Sequence, residues 1–358
     1  KVLLHQPIVG MKILVTGGAG YIGSHTIIDI LENTNHEVVS IDNFSNSDAS
    51  TFDRIKQITG KEVRNYELDL TAYQSLKERF FDIEGRIDGV IHFAALKAVG
   101  ESVDKPVLYY HNNLNGLINL LKCVQKYGVR HLIFSSSCTV YGNTDEQPVT
   151  EHTPTQQTES PYGYTKLVGE KILEDFSKSM NGFSSISLRY FNPVGAHMSG
   201  LIGELPKGKP NNLVPIVNQF ASGWLSELWV YGQDYKTRDG TAIRDYIHVS
   251  DVAHAHVLAL ESLVRSEFKT RYDVYNLGTG KGVTVLEVLN AFEEVTGIKL
   301  EYQIGPRRSG DVECIYADNL KATTELDWKL QYDILDAMRS AWIWQLRLNE
   351  AKHDDRVP

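Results

Sequence analysis

Cysteine is scarce in this 358-residue chain: Cys123, Cys138 and Cys314 lie far apart, and no Cys-x-x-Cys pair occurs. A sparse, odd set of cysteines argues against a disulfide framework and is typical of reduced thiols in a cytoplasmic protein. Long hydrophobic runs are also missing, since no stretch approaches the roughly 18 apolar residues that a membrane-spanning helix needs. Residues 1–10 contain no small-residue cleavage site, so we interpret them as an extension before Met11 and not as a signal peptide.

Positive charge is in deficit, because 36 Lys and Arg residues stand against 45 Asp and Glu residues, for a net charge of −9 at pH 7. An acidic balance argues against nucleic acid or an anionic membrane as a partner, since both favour a basic surface. It argues at first sight against an anionic ligand too, unless a few donors meet that ligand locally. With 42% hydrophobic and 23% charged residues, the composition excludes a disordered or collagen-like chain.

Short β-branched segments alternate with amphipathic segments between Met11 and about Phe191. Strands are predicted at Lys12–Thr16, Glu37–Ile41, Arg64–Leu68, Asp88–Phe93, His131–Ser135 and Ser185–Phe191. Helices are predicted between them at Tyr21–Glu32, Ala72–Phe81, Leu108–Tyr127 and Tyr162–Met180. This order predicts an α/β fold built on a doubly wound parallel (Rossmann) sheet.

The second half of the chain has a different texture. Residues 192–245 hold four prolines and many glycines, which predicts irregular, loop-rich structure. Further helices are predicted at Ser250–Val264, Thr284–Thr296 and Asp333–Leu348, with a strand at Val274–Leu277. We therefore predict a first domain over 11–191 and a smaller, mixed α/β substrate domain over 192–358 that is interleaved with the first.

The segment KILVTGGAGYIGSH joins the first predicted strand to a helix through closely spaced glycines, among them Gly17, Gly20 and Gly23. Glycine lets the backbone approach a pyrophosphate, and the amino terminus of the following helix favours its negative charge. Because the strand and the helix supply the required context, the segment predicts dinucleotide binding. Asp42 ends the second strand, 19 residues beyond Gly23, and no arginine lies beside it; a carboxylate there favours NAD over NADP.

A second group of polar residues follows the fifth predicted strand. Ser137 ends the segment HLIFSSS, and the later SPYGYTK places Tyr162 and Lys166 four residues apart on one helical face. A free tyrosine has a pKa of about 10, and a nearby ammonium together with a positive nicotinamide would lower it towards neutrality. Tyr162 is therefore a candidate base. Tyr164 is a rival, but its i+4 partner is Val168 and carries no charge.

Together these segments resemble the extended short-chain dehydrogenase/reductase family, and within it the enzymes that invert a nucleotide sugar at C4. The matching stretches run from residue 12 to about 320 and are TGGAGYIGSH, HFAALKAVGES, FSSSCTVYG, SPYGYTK, LRYFNPVGAH, PNNLVP, IRDYIHV, YNLGTG and RRSGD. The resemblance implies interconversion of UDP-galactose and UDP-glucose through a 4-keto intermediate on tightly held NAD. It also implies that Ser137, Tyr162 and Lys166 are catalytic and that the protein is a homodimer.

The resemblance further implies the residues of both ligand sites. Cofactor contacts are expected from Gly17, Gly20, Tyr21, Ile22, Gly23, Asp42, Asn43, Ser47, Asp69, Leu70, Phe93, Ala94, Ala95, Lys97, Asn112, Ser137, Tyr162, Lys166 and Phe191. Substrate contacts are expected from Ser137, Tyr162, Asn192, Asn212, Leu213, Trp229, Tyr231, Arg244, Arg308, Asp311 and Ile315. By the same resemblance, Ile315 stands where the size of the side chain helps decide whether an N-acetyl group fits beside the sugar ring. Because isoleucine is of intermediate size, activity on N-acetylated UDP-sugars stays an open hypothesis.

Several of these positions keep a structural alternative. Asp69 could cap the turn before Thr71, and Arg244 could pair with the adjacent Asp245, although a guanidinium suits a phosphate well. Lys97 could be an ordinary solvated lysine. His92, which lies in a predicted strand, is interpreted as a core histidine.

Three further alternatives concern function. His248, His254 and His256 match no metal-ligand spacing, so no metal is predicted. A nucleotide-sugar 4,6-dehydratase would carry Thr-Asp-Glu where Ser137-Cys138-Thr139 stands here, and Thr144-Asp145-Glu146 is seven residues out of register. A non-catalytic NAD-binding regulator is the other alternative, but it would be expected to lose the Tyr162 and Lys166 pair.

Overall fold

A computed structural model of the chain describes residues 10–155, 158–208, 210–265, 271–308 and 311–354. Its strands are β1 (Lys12–Thr16), β2 (Glu37–Ile41), β3 (Arg64–Tyr66), β4 (Gly89–His92), β5 (His131–Ser137), β6 (Ser184–Tyr190), β7 (Asn192–Val194), β8 (Trp229–Tyr231), β9 (Ile243–Arg244), β10 (Tyr246–His248), β11 (Tyr272–Leu277), β12 (Val283–Thr284), β13 (Gln303–Gly305) and β14 (Cys314–Ile315). The expected extension over residues 1–10 lies, apart from Gly10, outside the described residues.

The helices are α1 (Tyr21–Asn33), α2 (Thr51–Thr59), α3 (Tyr73–Leu76), α4 (Asp82–Glu84), α5 (Val99–Asp104), α6 (Pro106–Tyr110), α7 (Gly116–Tyr127), α8 (Pro161–Ser179), α9 (Leu213–Ala221), α10 (Val249–Val264), α11 (Val285–Thr296), α12 (Leu320–Glu325) and α13 (Ile334–Asp354). Wide, π-type turns at Lys77–Phe81 and His111–Asn115 join α3 to α4 and α6 to α7. A 3₁₀ turn at Cys138–Tyr141 follows β5. No described helix has the length and apolar character needed to cross a membrane.

Seven strands form the central sheet in the order β3-β2-β1-β4-β5-β6-β11, and every neighbouring pair is parallel. The predicted doubly wound α/β fold is thereby confirmed. Helices α1 and α10 cover one face of the sheet, and α7 packs with apolar side chains of the other face. Because all seven strands run the same way, their carboxyl ends share one edge, which is where ligands bind in such sheets.

Strand lengths differ from the prediction at the ends where polar residues continue or stop the pairing. Strand β5 extends beyond Ser135, because Ser136 and Ser137 keep pairing with Arg189 and Tyr190 of β6. Strand β3 is shorter than expected and ends at Tyr66, where its pairing with β2 ends.

Helix α9 corrects the expectation of irregular structure after Phe191. Val214 and Val217 lie on its buried face and join a second core with Val288, Phe292 and Met338 of α11 and α13. Pro215 suggested a break, yet it lies in the first turn of α9, where no intrahelical amide bond is lost.

The two halves of the chain share the main sheet. Helix α10 packs on α1, and β11 extends the sheet next to β6, although both come from beyond residue 245. The division between 11–191 and 192–358 stays a prediction.

Candidate functional site

The glycine segment forms a tight turn between β1 and α1. Gly17 has φ = +74°, which favours glycine, and a Cβ there would lie 2.8 Å from the backbone nitrogen of Ala94. A Cβ on Gly23 would lie 2.2 Å from the carbonyl oxygen of Gly17, so the helix packs directly on the turn. Gly20 precedes the first turn of α1, which has neither a capping side chain nor an acidic residue. The free amides of this turn suit a pyrophosphate.

Asp42 lies at the carboxyl end of β2, buried beside the glycine turn. Its Oδ2 accepts the N–H of Ala19 at 3.0 Å, and its Oδ1 accepts the N–H of Phe44 at 2.9 Å and the hydroxyl of Ser47 at 2.7 Å. Within the described ranges no basic side chain forms an ion pair with Asp42. A carboxylate in this position suits ribose hydroxyls better than a 2′-phosphate.

The opposite wall of this cleft follows β4. Phe93 and Ala94 both donate their N–H groups to the carbonyl of Thr16, at 3.0 and 3.1 Å, which holds this segment against β1. Asn113 fixes the next loop, since its amide donates to the carbonyl of Leu96 at 3.0 Å and accepts the Leu96 N–H at 2.8 Å.

Other expected cofactor contacts lie at the rim. Asn112 donates to Asn113 Oδ1 at 2.9 Å. Lys97 is half exposed, and its Nζ donates to Glu204 at 3.0 Å. The carboxylate of Asp69 accepts both the N–H and the hydroxyl of Thr71 at 2.8 Å, so the capping alternative accounts for its observed bonds.

Helix α8 carries the proposed chemistry. Ser160 caps it by accepting the N–H of Gly163 at 3.2 Å, and the partly buried Tyr162 follows in the first turn. Lys166 is only 4% exposed; its Nζ donates to the carbonyl of Ser135 in β5 at 2.6 Å and lies 5.8 Å from the centre of the Tyr162 ring. Ser137 ends β5, where its hydroxyl accepts the N–H of Thr139 at 3.2 Å.

The pKa values at this centre differ from the sequence expectation. Burial raises the pKa of Tyr162 well above its ordinary value, and a hydrogen bond with Ser137 opposes part of that rise. Burial also lowers the pKa of Lys166 to about 7, against the charge of Glu170. The expected lowering of the Tyr162 pKa therefore does not arise from the chain's own groups, because desolvation outweighs them.

The rival residues take other roles. Tyr164 is exposed, and its ring lies 6.2 Å from that of Tyr110. His92 is buried with its Nδ1 2.7 Å from the Thr16 hydroxyl, and burial lowers its pKa to about 3. In the part of the chain that the structure describes, no group of three or more His, Cys, Asp or Glu side chains is arranged to hold a metal ion.

Arg244 and its neighbours lie on a small sheet beside the main one. Arg244 in β9 forms an ion pair with Asp311 and donates to the carbonyl of Ile243 at 2.7 Å. The alternative pair with Asp245 does not form, because that buried carboxylate accepts backbone N–H groups instead. Its donors are Thr279 at 2.7 Å, Ala317 at 3.1 Å and Gly280 at 3.2 Å.

Ile315 links this small sheet to the chemical centre. In β14 it is paired with Arg244 of β9. Its buried side chain belongs to one apolar cluster with Cys138, which follows Ser137, and with Phe191, which follows β6. The sequence-predicted neighbours of the sugar ring are therefore close together in space.

The remaining expected substrate residues lie further along the same side. The Arg308 guanidinium lies 4.5 Å from the centre of the Tyr231 ring, and Trp229 donates to Glu227 at 3.0 Å. Asp311, which pairs with Arg244, donates its N–H to the carbonyl of Arg308 at 3.2 Å, so these three residues are neighbours. Asn192 donates its N–H to the carbonyl of Asp245 at 3.0 Å.

Two acidic residues escaped the sequence reasoning. Glu204 accepts Lys97 at 3.0 Å and Asn212 at 2.8 Å, and so connects the two expected ligand sites. Nothing in the local sequence marks it, because its partners are distant in sequence. Glu170 is buried one turn beyond Lys166, and the repeated spacing of four residues was the available signal.

Comparison with known proteins places the chain. A family model described as the NAD dependent epimerase/dehydratase family matches residues 13–278. The chain belongs to this family. This epimerase/dehydratase family member is 51% identical over 335 residues to the UDP-glucose 4-epimerase of Bacillus subtilis, covering 94% of this chain and 97% of that protein.

Solved structures agree with this assignment. The UDP-glucose-4-epimerase of Stenotrophomonas maltophila, with bound NAD and formylated UDP-arabinopyranose, is 48% identical with a TM-score of 0.91, covering 95% of this chain and 99% of that one. The UDP-glucose 4-epimerase of Bifidobacterium longum, in complex with NAD+ and UDP, is 50% identical with a TM-score of 0.88. It covers 94% of this chain and 98% of that chain.

The buried ammonium makes a stability prediction. Since the pKa of Lys166 is lowered in the folded protein, burial penalises its protonated form, and stability should rise as pH increases from about 7 towards 10.5. Lys166→Met should therefore raise the free energy of unfolding at pH 7 by about 1–3 kcal/mol and flatten that pH dependence. Urea unfolding measures this, with exposed Lys171→Met on the same helix as the control; a less stable Lys166→Met protein would contradict the assignment.

Proposed function

We propose that this protein is a UDP-glucose 4-epimerase that interconverts UDP-galactose and UDP-glucose through a 4-keto intermediate. The observation that carries the proposal is the position of Ser137, Tyr162 and Lys166. They lie at the carboxyl edge of the sheet, with the glycine turn on one side and the apolar cluster of Ile315 on the other. Such a site can hold a dinucleotide and a sugar nucleotide together.

The residues at β1, β2 and β4 fit NAD. The amides after Gly20 would hold the pyrophosphate. Asp42 would accept hydrogen bonds from the hydroxyls of the adenosine ribose, and Lys166 would donate to the nicotinamide ribose. When bound, NAD supplies reversible oxidation at C4 of the sugar, and its positive nicotinamide favours the Tyr162 phenolate. The nicotinamide charge would lower the Tyr162 pKa, which the chain's own groups do not do, because burial raises it.

Proton transfer is assigned to Tyr162. As the phenolate, Tyr162 would accept the proton of the sugar 4-hydroxyl and become a neutral hydroxyl, and it would return that proton once the sugar has turned, so one residue serves both directions of the reaction. Ser137, whose hydrogen bond favours the phenolate, would orient the same hydroxyl. The Lys166 ammonium, which lies 5.8 Å from the centre of the Tyr162 ring, would add positive charge that favours the phenolate.

The diphosphate of the substrate is assigned to arginine. Arg244 and Arg308 are linked through Asp311 and would supply the guanidinium groups, since guanidinium binds phosphate through paired hydrogen bonds. Trp229 and Tyr231 offer aromatic surface for the uracil, while Asn192, Asn212 and Leu213 would complete the pocket. These donors explain how a protein with a net charge of −9 can bind two anionic nucleotides.

The alternatives are weaker. Asp145 and Glu146 are exposed in the loop after the 3₁₀ turn, so they do not supply the acid pair that dehydration needs beside Ser137. A non-catalytic regulator has no need for a buried Lys166 held one turn from Tyr162, since that arrangement destabilises the fold.

We also propose a cytoplasmic homodimer. All three cysteines are free thiols, which supports a reducing compartment. On α5, α6 and α8 an apolar patch faces solvent, consisting of Val99, Val103, Val107, Leu108 and Tyr164, with Val107 77% exposed. Monomeric proteins rarely leave such patches uncovered, and a second copy of the chain would bury this one.

The assignment of the base predicts the effect of Tyr162→Phe. This variant should retain NAD and lose turnover of UDP-galactose by about 10²–10⁴-fold, the usual contribution of general acid–base catalysis. Tyr164→Phe, which alters an exposed tyrosine of the same helix, should keep wild-type kcat. Coupled detection of UDP-glucose measures both variants, and normal kcat in Tyr162→Phe would refute the assignment.

Ile315 predicts a test of sugar size. If the cluster around Ile315 borders the sugar ring, Ile315→Tyr should lower kcat/KM for UDP-GlcNAc and UDP-GalNAc relative to UDP-glucose and UDP-galactose by at least about tenfold, because the larger ring fills that space. Initial rates on both substrate pairs, in the wild type and the variant, measure the ratio. An unchanged ratio would show that Ile315 does not control sugar size.

The apolar patch predicts the oligomeric state. Val107→Glu should convert a dimer to a monomer, because it would bury a charge in the interface. Ile83→Glu, which alters another exposed apolar residue outside the patch, should leave the dimer intact. Light scattering gives the mass of each protein. A dimeric Val107→Glu protein would exclude this patch as the interface.

A further inference from the structure

Helix α8 carries a second charged residue beneath the chemical centre. Glu170 follows Lys166 by one turn, just as Lys166 follows Tyr162, and its carboxylate is buried. Arg189 of β6 binds both of its oxygens, with Nε 2.9 Å from Oε1 and Nη2 2.6 Å from Oε2. Ser136 of β5 donates its hydroxyl to Oε1 at 2.5 Å.

The pair continues into a chain of hydrogen bonds. Arg189 Nη1 donates to the hydroxyl of Tyr141 at 3.0 Å, and Tyr141 donates to Asn276 Oδ1 at 2.6 Å. The Asn276 amide in turn donates to the carbonyl of Val149 at 3.0 Å. Buried ion pairs are costly unless they are fully hydrogen bonded, and a network this complete holds the Glu170 carboxylate in one place.

The charge of Lys166 depends on its surroundings. Burial lowers the Lys166 pKa to about 7, and the charge of Glu170 is what opposes it. On β4, His92 is kept neutral, since its own pKa is lowered to about 3. On α8 and β6, the hydroxyls of Tyr162 and Tyr190 have raised pKa values and are uncharged near neutrality.

Arg189 is a further charged group near Lys166, and its guanidinium makes two bonds to Glu170. Burial favours the neutral amine, whereas a nearby anion favours the ammonium and raises the pH at which it loses its proton. Residues four apart on a helix are neighbours, and Ser136, which binds Glu170, adjoins Ser135, whose carbonyl binds Lys166. The Glu170 carboxylate, held by Arg189 and Ser136, is therefore placed to act on Lys166 through its charge.

We propose that Glu170 is a positioning residue of the reaction, whose carboxylate, fixed by Arg189 and Ser136, favours the charged form of the Lys166 ammonium that lies beside Ser135 and Tyr162. The catalytic consequence rests on the proposed function; the effect on Lys166 does not. Glu170 touches neither expected ligand and acts through Lys166.

The first test compares Glu170→Gln with Glu174→Gln, which alters a partly exposed glutamate one turn further along α8. In protein labelled at the lysine Cε, the carbon resonance that disappears in Lys166→Met reports the ionisation of Lys166. It should titrate about one unit or more lower in Glu170→Gln than in the wild type, and unchanged in Glu174→Gln. The fall in kcat at high pH should move to lower pH by a similar amount.

A second variant guards against misfolding, because Glu170→Gln leaves the Arg189 guanidinium buried without a counter-charge. Glu170→Gln combined with Arg189→Met removes both charges. The proposal expects this protein to keep the lowered Lys166 titration and the shifted pH profile. Recovery of the wild-type titration and profile would show that the pair is only structural and would overturn the proposal.

The two hypotheses fail separately. A wild-type protein that never converts UDP-galactose would refute the proposed function. The effect of Glu170 on Lys166 would still be tested by the Lys166 titration. Turnover by the wild type, together with a Lys166 titration that Glu170→Gln does not move, would refute the role of Glu170 and leave the proposed function standing.

Discussion

The parallel pairing of seven strands is the constraint on which the rest of the structure depends. Since every strand runs the same way, Gly17, Asp42, Phe93, Ser137 and Phe191 all lie at or just beyond the carboxyl ends of their strands, at one edge of the sheet. Helices cover both faces, and this edge is where ligands bind in sheets of this kind. Catalytic residues and cofactor contacts from segments far apart in sequence are therefore brought together by the sheet itself.

Helix α8 carries buried charged groups that lower the stability of the fold. Lys166 lies inside the protein, where burial lowers its pKa, and Tyr162 meets the same desolvation with the opposite sign of shift. A stable fold alone would place an apolar side chain at residue 166. Instead the chain has the buried ammonium of Lys166 there and, one turn further, the carboxylate of Glu170 paired with Arg189, an arrangement that sacrifices stability for charged groups beside the reacting hydroxyl.

The sequence predicted the sheet well, because buried parallel strands appear as continuous β-branched runs and Tyr162 and Lys166 share one helix by spacing alone. It predicted neither α9, whose Pro215 resembled a break, nor the ion pair between Arg244 and Asp311, which lie 67 residues apart. It also did not predict that the protein's own groups raise the Tyr162 pKa. Burial decides that shift, and burial belongs to the folded chain. Glu204 was missed for the same reason, since Lys97 and Asn212 meet it only in three dimensions.

The central claim is that one site holds NAD permanently and uses it to invert a UDP-hexose. The most direct measurement gives UDP-galactose to the purified protein without added NAD, and then denatures the protein to quantify the cofactor that is released. The account predicts UDP-glucose formation and about one NAD released per chain. A protein that forms no UDP-glucose, even when NAD is supplied, would contradict it.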